Sequence, residues 1–410
     1  MKVLHIITSS RGGAGIAALR LHEALCESGV SSAYLSVNRT INFENKTIAD
    51  SFFNYQKPSF FEKIKTKFQH YFLATLYQKT TKRLNLIKQD LHCEIATLPF
   101  SDYKLHEHPL VQEADIINLH WVAGILDYST FFENCNKPIV WTFHDMNPFQ
   151  GLFHYKNDEV ANAKTASKLD DEIKLVKAKA IQKIQKGVVV TPSKWMLVAA
   201  RESKVFSHFT KTHIPNAIDF TVFCPQDKTS LRAKHHIAPN DFVLLFVAED
   251  VSNIRKGFYL LQEALVNLKK TPITVLAIGK GVIPVNENIK IISLGEISSP
   301  VAMAACYAMA DAFVLPSLED NLPNVMLEAF ACGIPLIGFS IGGIAEHTKI
   351  GFTGVLANEI SSLSLAEAIA TFYKTKENYK SGVIVQYAKD HFNKKQQAKA
   401  YIEIYNGLLG

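Results

Sequence analysis

Apolar runs alternate with polar, glycine-bearing connections along most of this chain, in the rhythm of a wound α/β sheet. Val3–Thr8 is a short apolar strand, followed by a glycine loop, a helix from about Ile16 to Glu27 closed by Gly29, and a second strand at Ser32–Val37. A β–loop–α–β order of this kind opens a doubly wound sheet. Ile116–Leu119, Ile139–Phe143 and Gly187–Thr191 are apolar over their full length, as parallel strands covered on both faces are. The plan restarts with Phe242–Ala248, Ile273–Ile278, Ile289–Ile292, Ala312–Leu315 and Pro335–Phe339. Helices are predicted between them at about Tyr259–Lys269, Val301–Met309 and Pro323–Ala331. Thr210–Pro225 is turn-rich and separates the two sets. A chain of 410 residues exceeds one ordinary core. Two α/β domains are therefore expected, over residues 1–215 and 216–384, with a tail helix at about 385–410.

Composition adds limits. With 48% hydrophobic and 20% charged residues, the chain is globular rather than disordered. No run of about 18 apolar residues occurs, so no membrane span is expected. The opening MKVLHIITSS reads as a strand and turn rather than a signal peptide. The six cysteines form no CxxC and are expected to be reduced thiols of a cytoplasmic protein. None of the fifteen histidines shows metal-ligand spacing; His235–His236 and His106/His108 read as solvated or loop positions. Residues 1–215 hold 27 Lys and Arg against 20 Asp and Glu, leaving 17 against 18 in the remainder of the chain. The positive surplus thus belongs to the first half. No nucleic-acid recognition motif accompanies it, and an anionic membrane surface or an anionic lipid-linked acceptor fits it better.

Part of that surplus lies in residues 57–88. Phe60, Phe61, Ile64, Phe68, Phe72 and Leu76 recur there at near-helical spacing, interleaved with Lys63, Lys65, Lys67, Lys79, Lys82, Arg83 and Lys88. Basic amphipathic helices with exposed aromatics lie in membrane interfaces, and a helix packing the same stripe on its own domain has the same pattern.

The most chemically informative stretch is Val314–Gly343, VLPSLEDNLPNVMLEAFACGIPLIGFSIGG. It reads as a buried strand, a polar turn, a short helix, a second strand and a Gly-Gly loop. Pro323 suits a first helical turn, where its missing N–H costs nothing, and Gly333 with Pro335 ends the helix. Asp320 and Glu328 face a turn at the carboxyl end of a strand, where ligands of open α/β sheets bind. Capping and solvating the helix explains one of these acids but not the whole pattern.

This stretch resembles the nucleotide-sugar signature of family 4 glycosyltransferases, whose two acids stand in a P-S-x-x-E-x7-E-A-x-A-x-G-x-P setting. Pro316, Ser317, Glu328, Ala329, Ala331, Gly333 and Pro335 match, and Asp320 holds the place of the first acid with Glu319 beside it. The resemblance extends over nearly the whole chain and is most specific over residues 245–356. It implies the GT-B fold: two Rossmann-like domains facing each other across a cleft, the final helix crossing back to the first. It also implies transfer of a sugar from a nucleoside-diphosphate sugar to a glycan or lipid-linked acceptor, with retention of configuration, in surface polysaccharide or glycolipid assembly.

Roles for single residues follow from the same resemblance. Lys256–Gly257 matches the family's K-G pair, and Arg255 stands in for a cation that the family places where this chain has Val251. Cationic groups there would hold the diphosphate as the sugar leaves. Glu328 is expected to accept the ribose hydroxyls. Asp320 and the backbone N–H groups of Asn321 and Leu322 are expected to hold the sugar and its phosphate. Gly342–Gly343 with Glu346 resembles a G-G-x-x-E loop, and Asn216 in IPNAID takes the place of the asparagine in P-N-G-[IV]-D. In the first half, Gly12 and Gly13 lead into a helix start that favours a phosphate, although such a loop alone is an ordinary β–α turn. The resemblance sets His144 against the donor sugar and phosphate and Asp145 near the acceptor. Without it, His144 also reads as a satisfied core histidine. His120 and Trp121, at another strand end, are candidates for the acceptor side.

No G-x-S-x-G elbow surrounds Ser193, and no acidic pair follows a strand to hold a divalent ion, since Asp170–Asp171 lies in a charged helical stretch. Transfer without a metal, and without a cofactor beyond the nucleotide-sugar substrate, is expected. A dinucleotide dehydrogenase is disfavoured because RGGAG does not complete G-x-G-x-x-G. Two other readings stay open: a nucleotide-sugar epimerase on the same plan, and a catalytically silent nucleotide-sugar-binding subunit.

Overall fold

The computed structural model describes residues 1–38, 51–55, 74–268, 272–283 and 290–410. The chain divides into two compact units, Met1–Ile214 with Gln397–Gly410, and Pro215–Gln396. The first unit carries seven parallel strands: β1 Lys2–Ser9, β2 Ser31–Asn38, β3 Phe52–Asn54, β4 Ile116–Leu119, β5 Ile139–Thr142, β6 Gly187–Thr191 and β7 Thr210–His213, in the order β3-β2-β1-β4-β5-β6-β7. The second carries six: β8 Phe242–Asp250, β9 Ile273–Lys280, β10 Lys290–Gly295, β11 Ala312–Leu315, β12 Leu336–Phe339 and β13 Gly354–Ala357, in the order β10-β9-β8-β11-β12-β13. Both sheets wind outward in two directions from a central strand pair, which is Rossmann-like topology. Two such units make up the GT-B fold class.

The central strands are fully buried, so their side chains are apolar except where a partner is at hand, as at Asn118 in β4 and Thr142 in β5. The first core gathers Trp141, Phe143, Phe131 and Phe206, and the second Phe313, Tyr307, Met326 and Phe330. Three strands escaped the sequence pattern. β3 has three residues, β13 has four, and β7 is the polar edge sequence TKTH, none of it buried. β7 begins inside the turn-rich stretch expected to separate the domains. As an edge strand it needs no apolar run.

The tail after Ser381 forms two helices rather than one. Ile384 and Ala388 of helix Ser381–His391 are buried in the second unit. Helix Lys394–Leu409 presents Ala398, Tyr401 and Tyr405 to Val3, Ile116, Val140 and Val190 of the first sheet and to Leu21 and Leu25 of helix Gly12–Glu27. Tyr401 Oη lies 2.9 Å from Thr142 Oγ1, a buried hydrogen bond that fixes this helix on β5.

Of the basic aromatic segment 57–88, residues 57–73 lie outside the described residues. Ala74–Ile87 is a helix whose Leu84 and Ile87 pack on Leu152, Phe153, Leu169 and Ile173. Its Arg83 pairs with Glu172 of helix Ala163–Ile181. That end of the segment packs on its own unit. No helix among the described residues is long and apolar enough to cross a membrane.

Candidate active site

In the second unit the sheet reverses its winding between the neighbours β8 and β11. Connections leaving such a pair diverge beyond the carboxyl ends of the strands, which is where open α/β sheets take ligands. After β8, Asn253 caps the one-turn helix Ile254–Lys256, its Oδ1 accepting from Arg255 N at 3.0 Å. Gly257 ends the turn at φ 70°, and a Cβ there would stand 1.9 Å from Pro316 O. Only glycine lets the two connections come this close. Leu318 N donates to Arg255 O at 2.8 Å, and Arg255 Nη1 donates to Glu319 O at 3.0 Å.

The cations expected at this place converge on one acid. Lys256 Nζ is 2.6 Å from Asp320 Oδ2, and Arg255 Nη1 is 3.6 Å from the same oxygen. Ser317 Oγ donates to it at 3.4 Å, while Asn321 N donates to Oδ1 at 3.1 Å. Burial pushes the Asp320 pKa upward, but Lys256 and Arg255 outweigh burial and hold it below the ordinary carboxylate value. Val251, where the family pattern has a cation, is buried with Val314 and Phe258, so Arg255 is the arginine beside the acid.

Glu328 projects from helix Asn324–Ala331 and is buried. Tyr307, on helix Pro300–Met309, donates its hydroxyl to Glu328 Oε2 at 3.1 Å. The turn between the two acids is braced from behind. Gly343 N donates to Asn321 O at 2.6 Å, and a Cβ on Gly342 would stand 1.9 Å from Asp320 O. Asn216 Nδ2 lies 3.4 Å from both Leu322 O and Asn324 Oδ1.

The Asn321 N–H points at the Asp320 carboxylate. Leu322 is buried, its side chain joining the core with Met326 and Phe330, and it anchors the turn.

In the first unit, helix Gly12–Glu27 starts at the expected glycines, with Gly12 at φ 75° and Gly13 exposed. Gly15 is tightly packed: a Cβ would lie 2.5 Å from Ser10 C and 2.6 Å from Ser9 O. His144 follows β5 and is half-buried. Its Nε2 lies 3.0 Å from His120 Nδ1. His120 in turn places Nε2 2.9 Å from His5 Nδ1 and 2.8 Å from Asn118 Nδ2. With 2% exposure and both ring nitrogens engaged, His120 does not offer its ring to an acceptor; it backs His144. Burial drives the pKa of His144 down to about 4, against a smaller upward pull from Asp145.

Asp145 is likewise an anchor rather than a free carboxylate. Its Oδ2 accepts from Trp121 Nε1 at 2.7 Å and lies 2.5 Å from His154 Nδ1, while Oδ1 accepts from Asn147 N at 3.0 Å. Burial raises its pKa, but His154, Asn147 and Trp121 together overcome that and leave it lowered. Trp121 and Asp145 thus hold each other and the loop 145–154. Beneath that loop Lys177 is buried, donating to Asn147 O at 2.7 Å and Gly151 O at 2.6 Å. Desolvation brings its pKa down to about 7. Asp170 accepts from Leu152 N at 2.6 Å.

His5, Asn118, His154, Lys177 and Tyr307 were not singled out in the sequence. For Lys177 a signal existed: Ala166, Leu169, Asp170, Ile173, Lys177 and Ala180 form the buried stripe of their helix at i, i+3, i+4 spacing. A charged residue inside an apolar stripe is held by partners that only the fold reveals. Among the described residues, no group of three or more His, Cys, Asp or Glu is arranged to hold a metal ion.

Comparison with known proteins bears on this site directly. Residues 241–375, which contain Arg255, Lys256, Asp320 and Glu328, match the family described as Glycosyl transferases group 1. The match is a similarity confined to this segment of the second unit. The match agrees with the resemblance carried by Pro316–Pro335. A D-inositol 3-phosphate glycosyltransferase of Arthrobacter sp. (strain FB24) is 23% identical over 276 residues, covering 63% of this chain and 62% of that protein. The chain therefore spans less than two thirds of that relative's length. The N-acetyl-alpha-D-glucosaminyl L-malate synthase of Bacillus anthracis is 24% identical over 207 residues, covering 48% of this chain and 53% of that protein. Among solved structures, Anabaena HepE in complex with UDP and glucose aligns with a TM-score of 0.66 at 15% identity, covering 100% of both chains. The sucrose-phosphate synthase of Thermosynechococcus elongatus aligns with a TM-score of 0.67 at 16% identity, over 100% of this chain and 99% of that one. These likenesses establish the fold.

Proposed function

We propose that the chain is a glycosyltransferase that takes a sugar from a nucleoside-diphosphate sugar and transfers it to a glycan or lipid-linked acceptor with retention of configuration. The observation that carries this reading is the convergence of Lys256 and Arg255 on Asp320 beside the helix that holds Glu328, inside the segment matching the family. Two cations share one carboxylate here, so a diphosphate arriving beside Lys256 meets positive charge that Asp320 has already drawn into place. Glu328, oriented by Tyr307, is suited to accept hydroxyl donors of a ribose. The relatives named above are a D-inositol 3-phosphate glycosyltransferase and an N-acetyl-alpha-D-glucosaminyl L-malate synthase, and the HepE complex holds UDP and glucose. The basic surplus of the first half favours an anionic acceptor, or an anionic membrane surface that carries it.

A panel of nucleotide sugars screened by thermal shift identifies the donor, because a ligand that binds only the folded protein raises its melting temperature. Product analysis with that donor then separates transfer from epimerisation, and the anomeric configuration of the product reports retention. Lys256→Ala and Glu328→Ala are expected to lose both donor stabilisation and transfer with the fold intact. Full transfer activity in both variants would overturn the assignment of the donor site. Donor binding without turnover on any acceptor would instead identify a silent binding subunit.

A further inference from the structure

His144 ends a row of three imidazoles drawn from three adjacent parallel strands. His5 lies within β1, Asn118 is its register partner on β4, His120 follows β4, and His144 follows β5. The rings stack at similar steps, with centroids 5.2 Å apart for His5 and His120 and 5.3 Å apart for His120 and His144. Each step also carries a nitrogen–nitrogen contact of hydrogen-bond length, 2.9 Å and then 3.0 Å. Asn118 Nδ2 sits beside the first step, 2.8 Å from His120 Nε2 and 3.2 Å from His5 Nδ1. Burial lowers the pKa of all three rings, so each carries one proton at neutral pH.

One proton per ring makes the chain directional. Two arrangements are available, and they differ in which buried atoms go without a partner. In the first, the single lone pair of His120 Nε2 takes the hydrogen bond from Asn118 Nδ2, with His5 Nδ1–H alongside sharing it, so the His120 proton is on Nδ1 and is donated to His144 Nε2. The atoms then left without a hydrogen bond are His5 Nε2 and Asn118 Oδ1, the two of this group that lack one among the described residues, and both are acceptors. In the reverse arrangement the Asn118 amide is turned over and the proton of His120 sits on Nε2. That leaves a buried amide NH₂ unbonded, and either a His5 N–H unbonded or two ring protons opposed. Orphaned buried donors are rarer and costlier than under-used acceptors, so the first arrangement holds.

We propose that His5, Asn118 and His120 are positioning residues that lock His144 as the neutral tautomer protonated on Nδ1, with Nε2 occupied as an acceptor inside the protein. In this tautomer Nδ1 is a hydrogen-bond donor toward whatever group it meets, and Nε2 is already engaged by His120. His144 can stabilise negative charge but not take a proton. That the ligand is a nucleotide sugar rests on the function proposed above; the tautomer does not.

Nitrogen-15 spectra of the full chain labelled at histidine, with His144 assigned by its loss in His144→Gln, test this without substrate. The expected pattern is a protonated Nδ1 and an unprotonated Nε2 for His144 at neutral pH. Asn118→Asp replaces the donor to His120 with an acceptor and is expected to reverse the order, moving the His144 proton to Nε2. With donor and acceptor supplied, kcat in that variant is expected to fall by about 100-fold. A His144 protonated on Nε2, or on both nitrogens, in the wild-type spectrum would overturn the proposal and leave the glycosyltransferase reading standing. The expected spectrum in a protein without transferase activity would overturn that reading and leave the tautomer standing. Should Asn118→Asp fail to fold, His120→Phe supplies the second arm: it removes the partner of Nε2, and His144 is expected to populate both tautomers. An unchanged His144 spectrum in His120→Phe would also overturn the proposal.

Discussion

Lys256 Nζ and Asp320 Oδ2 lie 2.6 Å apart, joining the connection after β8 to the connection after β11. Asp320 is buried, so the lysine is the main reason its carboxylate is ionised there. Replacing Lys256 with Ala leaves Arg255 at 3.6 Å as the remaining cation. The expected cost is about 2 kcal/mol of stability, read by denaturant unfolding. The linkage with pH has a definite sign. Asp320 has a lowered pKa in the folded state, so its contribution is present above the ordinary carboxylate range and is lost as pH falls through it. The stability gap between wild type and Asp320→Asn is therefore expected to narrow below about pH 4.

Lys177 titrates with the opposite consequence. Its folded pKa of about 7 lies below that of a free lysine, so between pH 7 and about 10 the unfolded chain binds more protons than the folded one. Stability owed to this group rises with pH over that window. Unfolding measured across it for wild type and Lys177→Met is expected to show wild type gaining on the variant as pH increases. Parallel profiles would mean that Lys177 is charged in its buried site.

Gly257 sets how closely the connections after β8 and β11 approach. Alanine there meets both a positive φ of 70° and a Cβ 1.9 Å from Pro316 O. Gly257→Ala is expected to cost about 1–3 kcal/mol and to separate Lys256 from Asp320. The measurement is melting temperature together with donor affinity, both of which should fall.

Tyr307 holds Glu328 by a single hydroxyl. Tyr307→Phe keeps the ring, which packs among Phe223 and Phe313, and removes that bond. Stability should drop by about 1 kcal/mol. Donor KM should rise, because Glu328 loses its fixed orientation, while kcat changes less. Unchanged KM would mean that Glu328 is held by its other surroundings.

The sequence by itself determined much of the framework. β4, β6 and β11 fall at the residues read from their apolar runs, because a strand covered on both faces is mostly apolar. The helix stop at Gly333, which has φ 76°, was legible because few other residues adopt that conformation. Edge strands β3, β7 and β13 were missed, since runs of three or four residues are too short to leave a periodic mark. The acids and cations of the second unit were legible as a motif of local spacing. Their pairing was not, since Lys256 and Asp320 are 64 positions apart and meet only because β8 and β11 are neighbours. The same holds for Asp145, Trp121 and His120, which looked like ligand-facing residues at strand ends. Burial and the partners brought by adjacent strands made Asp145 a brace and His120 the support of His144. Residue type tells what a side chain can bond with; only the folded sheet decides which bonds are made inside the protein and which remain for a ligand.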